Sequence, residues 1–174
     1  MALEIERKFK VLDDRWRKDA SVGFELRQAY IMTTKNRTLR VRTIDTKHAT
    51  LTAKFRKDRM RREEYEYEIP YRDAVEMFKF AVGMVEKTRY EVRYASHLWQ
   101  IDVYSGPNCG LVVAEVELRN CNDYPRLPAW LGPEITGCPV YSNRVLAMGN
   151  QPNKAHSKNE RGAEERTPVV DTRT

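Results

Sequence analysis

The sequence predicts a mainly β protein with peripheral helices: a closed, eight-stranded antiparallel β-barrel with a charged lumen. Three observations carry this reading. Stretch after stretch alternates polar and apolar residues with a period of two, the pattern of strands that bury one side only. The links between these stretches are short, as antiparallel neighbours allow. Charges within a stretch are mostly of one sign, whereas an open sheet with a wetted face mixes signs, because directly opposed unlike pairs are mildly stabilising. Rows of one sign need a ligand to supply the missing charge, and eight antiparallel strands close around a space that just holds one small ligand.

The first strand, Leu3 to Phe9, sets Glu4, Glu6, Lys8 and Lys10 on one face against Leu3, Ile5 and Phe9 on the other. Two carboxylates two residues apart lie about 7 Å apart along a strand, close enough to share one or two divalent cations, with Lys8 one pleat further on as a phosphate partner. Residues 13–20 read as a short helix capped by Asp13 or Asp14. An extended pattern resumes over Phe24 to Met32. Residues 38–43 then carry Arg40 and Arg42 on one face, with Asn36 as the turn residue before them. Residues 50–56 set Lys54 and Arg56 opposite Leu51, Ala53 and Phe55, and residues 62–69 set Arg62, Glu64, Glu66 and Glu68 opposite Glu63, Tyr65, Tyr67 and Ile69. Pro70 ends that strand, and Tyr71 to Val82 reads as an amphipathic helix with Val75, Phe78 and Val82 inward and Met77 and Phe80 as packing residues. Strand alternation returns over Val85 to Tyr94 (Lys87, Arg89, Glu91 and Arg93 on one face), Leu98 to Tyr104 (Asp102 with Gln100) and Leu111 to Leu118 (Glu115 and Glu117). Beyond Asn122, four prolines punctuate a covering segment whose Trp130 and Leu131 pack on the wall, and Ser142 to Met148 forms a last short helix capped by Ser142 or Asn143. Residues 1–149 are read as one domain and 150–174, poor in apolar residues and without period, as a disordered tail.

The composition sets limits. A chain of 174 residues holds one domain with a full core. No apolar run approaches the roughly 18 residues that span a bilayer, and an opening with two glutamates is no signal peptide, so a cytoplasmic location is expected. Three cysteines, with no CxxC pair among them, indicate neither a disulfide framework nor a thiolate zinc site. The net charge of +6 comes from 31 basic and 25 acidic residues clustered on the same strands. A groove for nucleic acid is not lined with that many carboxylates. A site for a short, dense anion and its metal ions is. His48 and His97, at strand starts, are read as surface residues, and Tyr65, Tyr67 and Tyr90 as wall packing.

The opening Glu-Ile-Glu-Arg-Lys at residues 4–8 resembles the ExExK signature of the CYTH superfamily, the triphosphate tunnel metalloenzymes. Further blocks resemble the family in its own order: Val-Arg at 41–42, Leu-Thr-Ala-Lys at 51–54, Arg-x-Glu-x-Glu-x-x-Ile at 62–69 and Lys-Thr-Arg-Tyr at 87–90. Asp-Val-Tyr-x-Gly from 102, Ala-Glu-Val-Glu at 114–117, Trp-Leu-Gly-x-Glu-Ile-Thr at 130–136 and Tyr-Ser-Asn at 141–143 complete the set, which covers roughly residues 2–147. The chain is most similar to the short bacterial, inorganic triphosphatase-like branch, although Cys138-Pro139-Val140 stands where that branch more often reads Asp-Pro-Arg.

The resemblance implies a triphosphate-binding tunnel with Mg²⁺ or Mn²⁺ held by Glu4, Glu6, Glu115 and Glu117, and with Asp102 ligating a second ion or orienting water. It implies that Lys8, Arg40, Arg42, Lys54, Lys87 and Arg89 clamp phosphate oxygens. Glu64 and Glu66 would steady basic neighbours or position the attacking water, so the catalytic set is Glu64, Glu66, Asp102 and Lys87. The bare residue chemistry agrees, since hard cations take oxygen ligands, and arginine grips phosphate by a fork where lysine acts as a point charge. The expected activity is metal-dependent hydrolysis of a terminal phosphoanhydride of tripolyphosphate. The alternatives are a class IV adenylate cyclase, a thiamine or nucleoside triphosphatase, or a module that binds polyphosphate without cleaving it. The expected partner is a small triphosphate anion, neither membrane nor nucleic acid, and a homodimer is an open possibility.

Overall fold

In a computed structural model of the chain, residues 5–56, 62–120 and 122–149 are described. Nine strands form a single antiparallel sheet: β1 (Ile5–Val11), β2 (Phe24–Thr33), β3 (Arg37–Ile44), β4 (His48–Arg56), β5 (Arg62–Glu68), β6 (Gly83–Tyr94), β7 (His97–Tyr104), β8 (Val112–Leu118) and β9 (Leu131–Glu134). Their order is β5-β4-β3-β2-β6-β7-β8-β1-β9. Two helices accompany them, α1 (Tyr71–Met77) and α2 (Asn143–Ala147). The predicted mainly β, antiparallel class is what the chain adopts, with one strand more than the sequence suggested. β9 has the Pro-containing sequence Leu-Gly-Pro-Glu and lies at a sheet end beside β1, a place where proline is tolerated and alternation is too short to read. No ladder joins β5 to β9 among the described residues, yet side chains of β5 and β1 line one cavity, so the sheet curls around it.

Register decides which face looks inward. The ladders align Glu6 with Glu117 and Lys8 with Glu115, then Arg89 with Asp102, Leu26 with Lys87, Gln28 with Arg42, Arg40 with Thr52 and Thr52 with Glu66. Because neighbours directly opposite share a face, these residues form one continuous inner surface. The outer surface carries two of the three core clusters. Phe9, Val92, Trp99, Ile101, Ala114 and Val116 bury against Trp16 and Trp130, and the Trp99 and Trp130 rings meet edge to face at 5.9 Å. Trp16 comes from a 3-10 turn at Asp14–Asp19, capped by the Asp13 carboxylate accepting from the Arg15 amide at 3.0 Å. A smaller cluster packs Ala74, Met77 and Phe78 on Val41 and Ala49.

That second cluster corrects one expectation. The helix ends at Met77 instead of reaching Val82, and Phe78–Phe80 makes a 3-10 turn that leaves Phe80 and Val82 exposed. The chain must turn there, because the Val82 amide donates to the Tyr30 carbonyl to start the β2–β6 ladder. Tyr65 and Tyr67 also lie on the exposed outer face of the end strand β5, where Tyr65 meets the Phe55 ring edge to face at 6.2 Å and both stay exposed; Tyr90 packs as expected, against Trp16. The β2–β3 turn is organised by Thr34, whose hydroxyl accepts from the amides of Asn36 and Arg37.

The last helix has a larger role than a cover. α2, capped by the Ser142 hydroxyl accepting from the Val145 amide at 3.3 Å, sets Leu146 and Ala147 against Tyr30, Val85, Tyr104 and Val113, which are inner-face positions. It therefore closes one end of the curled sheet with an apolar plug. Gly83 permits this approach, since a Cβ there would stand 2.7 Å from the Ala147 carbonyl oxygen.

Candidate functional site: a cationic cavity inside the sheet

The curled sheet and α2 enclose a cavity of about 840 Å³. Among the described residues nine basic side chains line it against five acidic ones, an excess of positive charge in a confined space. Of the residues singled out from sequence, Glu6, Lys8, Arg40, Arg42, Lys54, Glu64, Glu66, Lys87, Arg89, Glu115 and Glu117 all line it together. Glu4 lies outside the described residues, as do residues 150–174.

Most of the cations are already partnered. On the β3–β4–β5 side, Lys54 pairs with Glu64 at 2.6 Å, and Arg40 reaches Glu66 at 3.4 Å. Thr52, fully buried between them, accepts from Arg40 Nη2 at 3.1 Å and donates to Glu66 Oε2 at 2.7 Å. Burial pushes the Glu66 carboxyl up, but the Thr52 hydroxyl and the cations Arg42, Arg40 and Lys54 outweigh it, leaving it below the usual carboxylate range. On the opposite side Lys8 Nζ stands 2.9 Å from Glu115 and 3.1 Å from Glu6.

Asp102 is placed differently from the other carboxylates. It does not line the cavity but is wholly buried behind it, with one oxygen accepting from Arg89 Nε at 2.6 Å and the other from Arg89 Nη2 at 2.7 Å and from the Lys87 ammonium. Burial raises the Asp102 carboxyl, and these two cations overcome it and hold it at about 2. Burial likewise draws the Lys87 ammonium down, an effect Asp102 only partly offsets. Two cations against one carboxylate keep the cluster ionised and one charge in surplus, and Arg89 spends that surplus on Glu115 at 3.2 Å and Gln100 at 2.5 Å.

Among the described residues Lys35, Arg37 and Arg144 line the cavity without an ion pair but are exposed, whereas Arg42 is unpaired and largely buried. Its guanidinium has no hydrogen bond or ion pair among the described residues, although it is largely buried and flanked by like charge. Burial, then Arg40 and Arg89, depress its proton affinity. Arg40 Nε beside it is also buried without a partner. A desolvated guanidinium among other cations is costly unless an anion meets it. Together they mark where an anion belongs.

Several lining residues escaped the sequence reading. Gln28 and Tyr30 of β2 face inward, the Gln28 amide donating to the Tyr30 hydroxyl at 2.8 Å, while the charged Glu25 and Arg27 of the same strand face outward and Arg27 pairs with Glu86 at 2.9 Å. On this strand the charged residues point away from the cavity. Period-two alternation from Arg40 and Arg42 through the β2–β3 register would have located Gln28 and Tyr30. Arg144 of α2 and Lys35 and Arg37 of the β2–β3 turn also line the cavity, with no periodic signal to find them. His48 is exposed, and His97 bonds Asp123 at 3.0 Å away from the cavity.

The implied divalent cation can be tested against these side chains. Every acidic group available is a carboxylate, the donor that Mg²⁺ and Mn²⁺ prefer. Glu6 and Glu117 are directly opposed on the β1–β8 ladder, an arrangement that repels unless a cation lies between or beside them. A stand-in cation is present, for the Lys8 ammonium bridges Glu6 and Glu115. Among the described residues no group of three or more His, Cys, Asp or Glu side chains converges closely enough to hold a metal unaided. The donor chemistry fits a hard divalent cation.

Comparison with known proteins agrees with this architecture. The family model for the CYTH domain matches residues 2–137. An inorganic triphosphatase of Acetivibrio thermocellus is 38% identical over 155 residues, covering 88% of this chain and 98% of the relative. A solved structure of the inorganic triphosphatase NE1496 superposes with a TM-score of 0.64 at 31% identity, covering 85% of this chain and 96% of that one. The structure of PH1012 from Pyrococcus horikoshii OT3 shares the fold, with a TM-score of 0.53 at 22% identity over 69% of this chain and 80% of that one. Among the described residues no helix is long and apolar enough to cross a membrane. With a family model matched over most of its length and a curated relative aligned almost end to end, the chain belongs to the CYTH domain family.

Proposed function

We propose that this chain is a metal-dependent inorganic triphosphatase that hydrolyses a terminal phosphoanhydride of tripolyphosphate inside the cationic cavity. The observation that carries the reading is Arg42, largely buried, beside the cations Arg40 and Arg89 and without a hydrogen bond or ion pair among the described residues, a place suited to a compact, multiply charged anion. The likeness to proteins named inorganic triphosphatase supports the choice of substrate. Phosphoryl transfer asks mainly for in-line positioning and neutralised charge on the transferring oxygens, which such a cavity supplies.

Arg42 and Arg40 on β3, Lys54 on β4 and Lys87 and Arg89 on β6 grip the phosphate oxygens, Arg42 first because among the described residues no carboxylate pairs with it directly, although Glu66 attracts it from further off. Glu64 and Glu66 keep Lys54 and Arg40 extended into the cavity, and Asp102 does the same for Lys87 and Arg89. Asp102, with both oxygens committed, acts as their anchor in place of the metal-ligand role the family pattern implied. Glu6, Glu115 and Glu117, with Glu4 ahead of them, would hold Mg²⁺ or Mn²⁺, which when bound supplies charge neutralisation and an activated water. The α2 plug keeps bulk water from one end, which strengthens every ionic contact within.

The test is the product pattern from tripolyphosphate and, separately, from ATP, with Mg²⁺, with Mn²⁺ and with chelator. Rapid metal-dependent phosphate release from tripolyphosphate, with ATP slow, is expected. Cyclic AMP plus pyrophosphate from ATP would make the chain a cyclase, and binding without turnover would make it a triphosphate-binding module.

Thr52 gives a narrower expectation. Thr52→Val keeps the shape but removes the hydroxyl that ties Arg40 to Glu66, and KM for tripolyphosphate should rise about tenfold, in line with losing hydrogen bonds to charged groups. Thr52→Ser should stay near wild type. Equal KM values for valine and serine would rule the bridge out.

A further inference from the structure

We propose that Lys8 is a built-in cation that occupies the metal site of the ligand-free protein and couples metal binding to anion binding. The inference rests on reading Glu6 and Glu115 as metal ligands. Lys8 Nζ lies 3.1 Å from Glu6 Oε1 and 2.9 Å from Glu115 Oε1, so one ammonium neutralises two carboxylates that a divalent ion would otherwise bridge. The other Glu115 oxygen accepts from Arg89 at 3.2 Å. The position follows from the strand itself. Lys8 sits directly across the ladder from Glu115 and one pleat from Glu6, so its side chain reaches both without leaving the inner face.

A divalent ion and the ammonium cannot share those oxygens. Metal binding would turn Lys8 away from these carboxylates, within the cavity it already lines and toward the anion proposed to bind there. Two consequences follow. Without an anion, the ion competes against a tethered ammonium, and its apparent affinity is reduced by the fraction of molecules in which Lys8 holds the site. With an anion, the displaced Lys8 gains a phosphate oxygen in exchange for the carboxylates it lost. Metal and anion therefore strengthen each other, and by linkage the two enhancements are equal. Lys8 is thus both guard of the site and part of the grip on substrate, and the protein loads metal and triphosphate together.

The experiment is Mn²⁺ binding to the full chain, followed by the electron paramagnetic resonance signal of free Mn²⁺, with and without inorganic phosphate. In wild type, phosphate should tighten Mn²⁺ binding about tenfold. In Lys8→Met, Mn²⁺ should bind about tenfold more tightly than to wild type without phosphate, and phosphate should add nothing. Glu6→Gln and Glu115→Gln, measured the same way, should each weaken Mn²⁺. If both bind Mn²⁺ as wild type does, the ligand reading fails and the coupling falls with it. If they weaken binding while Lys8→Met binds no more tightly than wild type, the ligands stand and the guard role of Lys8 is wrong. Should Lys8→Met fail to fold, wild type decides the matter, because no effect of phosphate on its Mn²⁺ affinity overturns the coupling.

Discussion

Asp102→Ala should lower the stability of the protein by about 3–5 kcal/mol, the cost of leaving a buried ion cluster without its counter-charge. For a chain of this size that corresponds to a fall in Tm of roughly 10 °C or more. The reasoning is particular to this residue. Asp102 is wholly buried, both oxygens are occupied, and its removal strands Lys87 and Arg89 in a site already short of negative charge. The pH dependence has a defined sign. The folded Asp102 carboxyl sits at about 2, below the unfolded value of about 3.9, so its stabilisation is complete above the unfolded value and is lost as pH falls through the folded one. Wild type should therefore lose stability between about pH 4 and 2, and the variant should lack that share of the loss. In the variant the limiting charge is Lys87, whose proton affinity burial lowers. Its stability should recover as pH rises, because the unfolded state then binds the proton more tightly than the folded state does. Thermal melts across pH check both arms, and a variant with wild-type Tm at neutral pH would show that the cluster does not depend on Asp102.

Arg42→Ala should do the reverse. Removing this buried guanidinium, unpaired among the described residues, deletes a charge that the cavity's own side chains do not meet, so the Tm of the protein without added anion should stay level or rise. Turnover should suffer: losing a donor aimed at a developing charge costs about 10²–10³ in rate in comparable sites, and kcat/KM for tripolyphosphate should fall by that order. The rise in Tm that wild type shows on adding an inert anion should shrink with it. Melts and steady-state kinetics on the same preparation separate the outcomes. A clear loss of Tm with kcat/KM intact would make Arg42 a structural residue and remove the main support for the anion site. Asp102→Ala and Arg42→Ala thus test opposite halves of one design, in which partnered cations hold the scaffold and the unpaired one waits for substrate.

Much of this was legible in the residues themselves. Period-two alternation separates Glu6 and Lys8 from Ile5 and Phe9, Arg40 and Arg42 from Leu39 and Val41, and Lys87 and Arg89 from Thr88 and Tyr90. That periodicity is a local property of extended chain, so it assigns faces before any partner strand is known. The ordered motif blocks carried the family in the same way. Short or irregular elements were not legible. β9 is four residues with a proline, and α1 stops a turn early because its end is dictated by the β2–β6 ladder.

On β2 the sequence marked an extended stretch without assigning its faces, and the register decides them. Arg27 finds Glu86 outside, and Gln28 and Tyr30 take the inner position beside Arg42 and Arg40. Pairing across strands is likewise beyond a linear reading. Asp102 looks like any other inward carboxylate in sequence; the β6–β7 register sets it on the inner face opposite Arg89, and the Arg89 and Lys87 side chains bound to it keep it out of the cavity lining. The same holds for Lys8 between Glu6 and Glu115, and for Arg42 without a partner. The sequence by itself determined the strands, their polar faces and the ion types on them, because these depend on neighbours along the chain. Which ions cancel, which remain free and which end α2 closes were decided by register and curl, because electrostatic partnership is a matter of distances of a few ångströms between residues far apart in sequence.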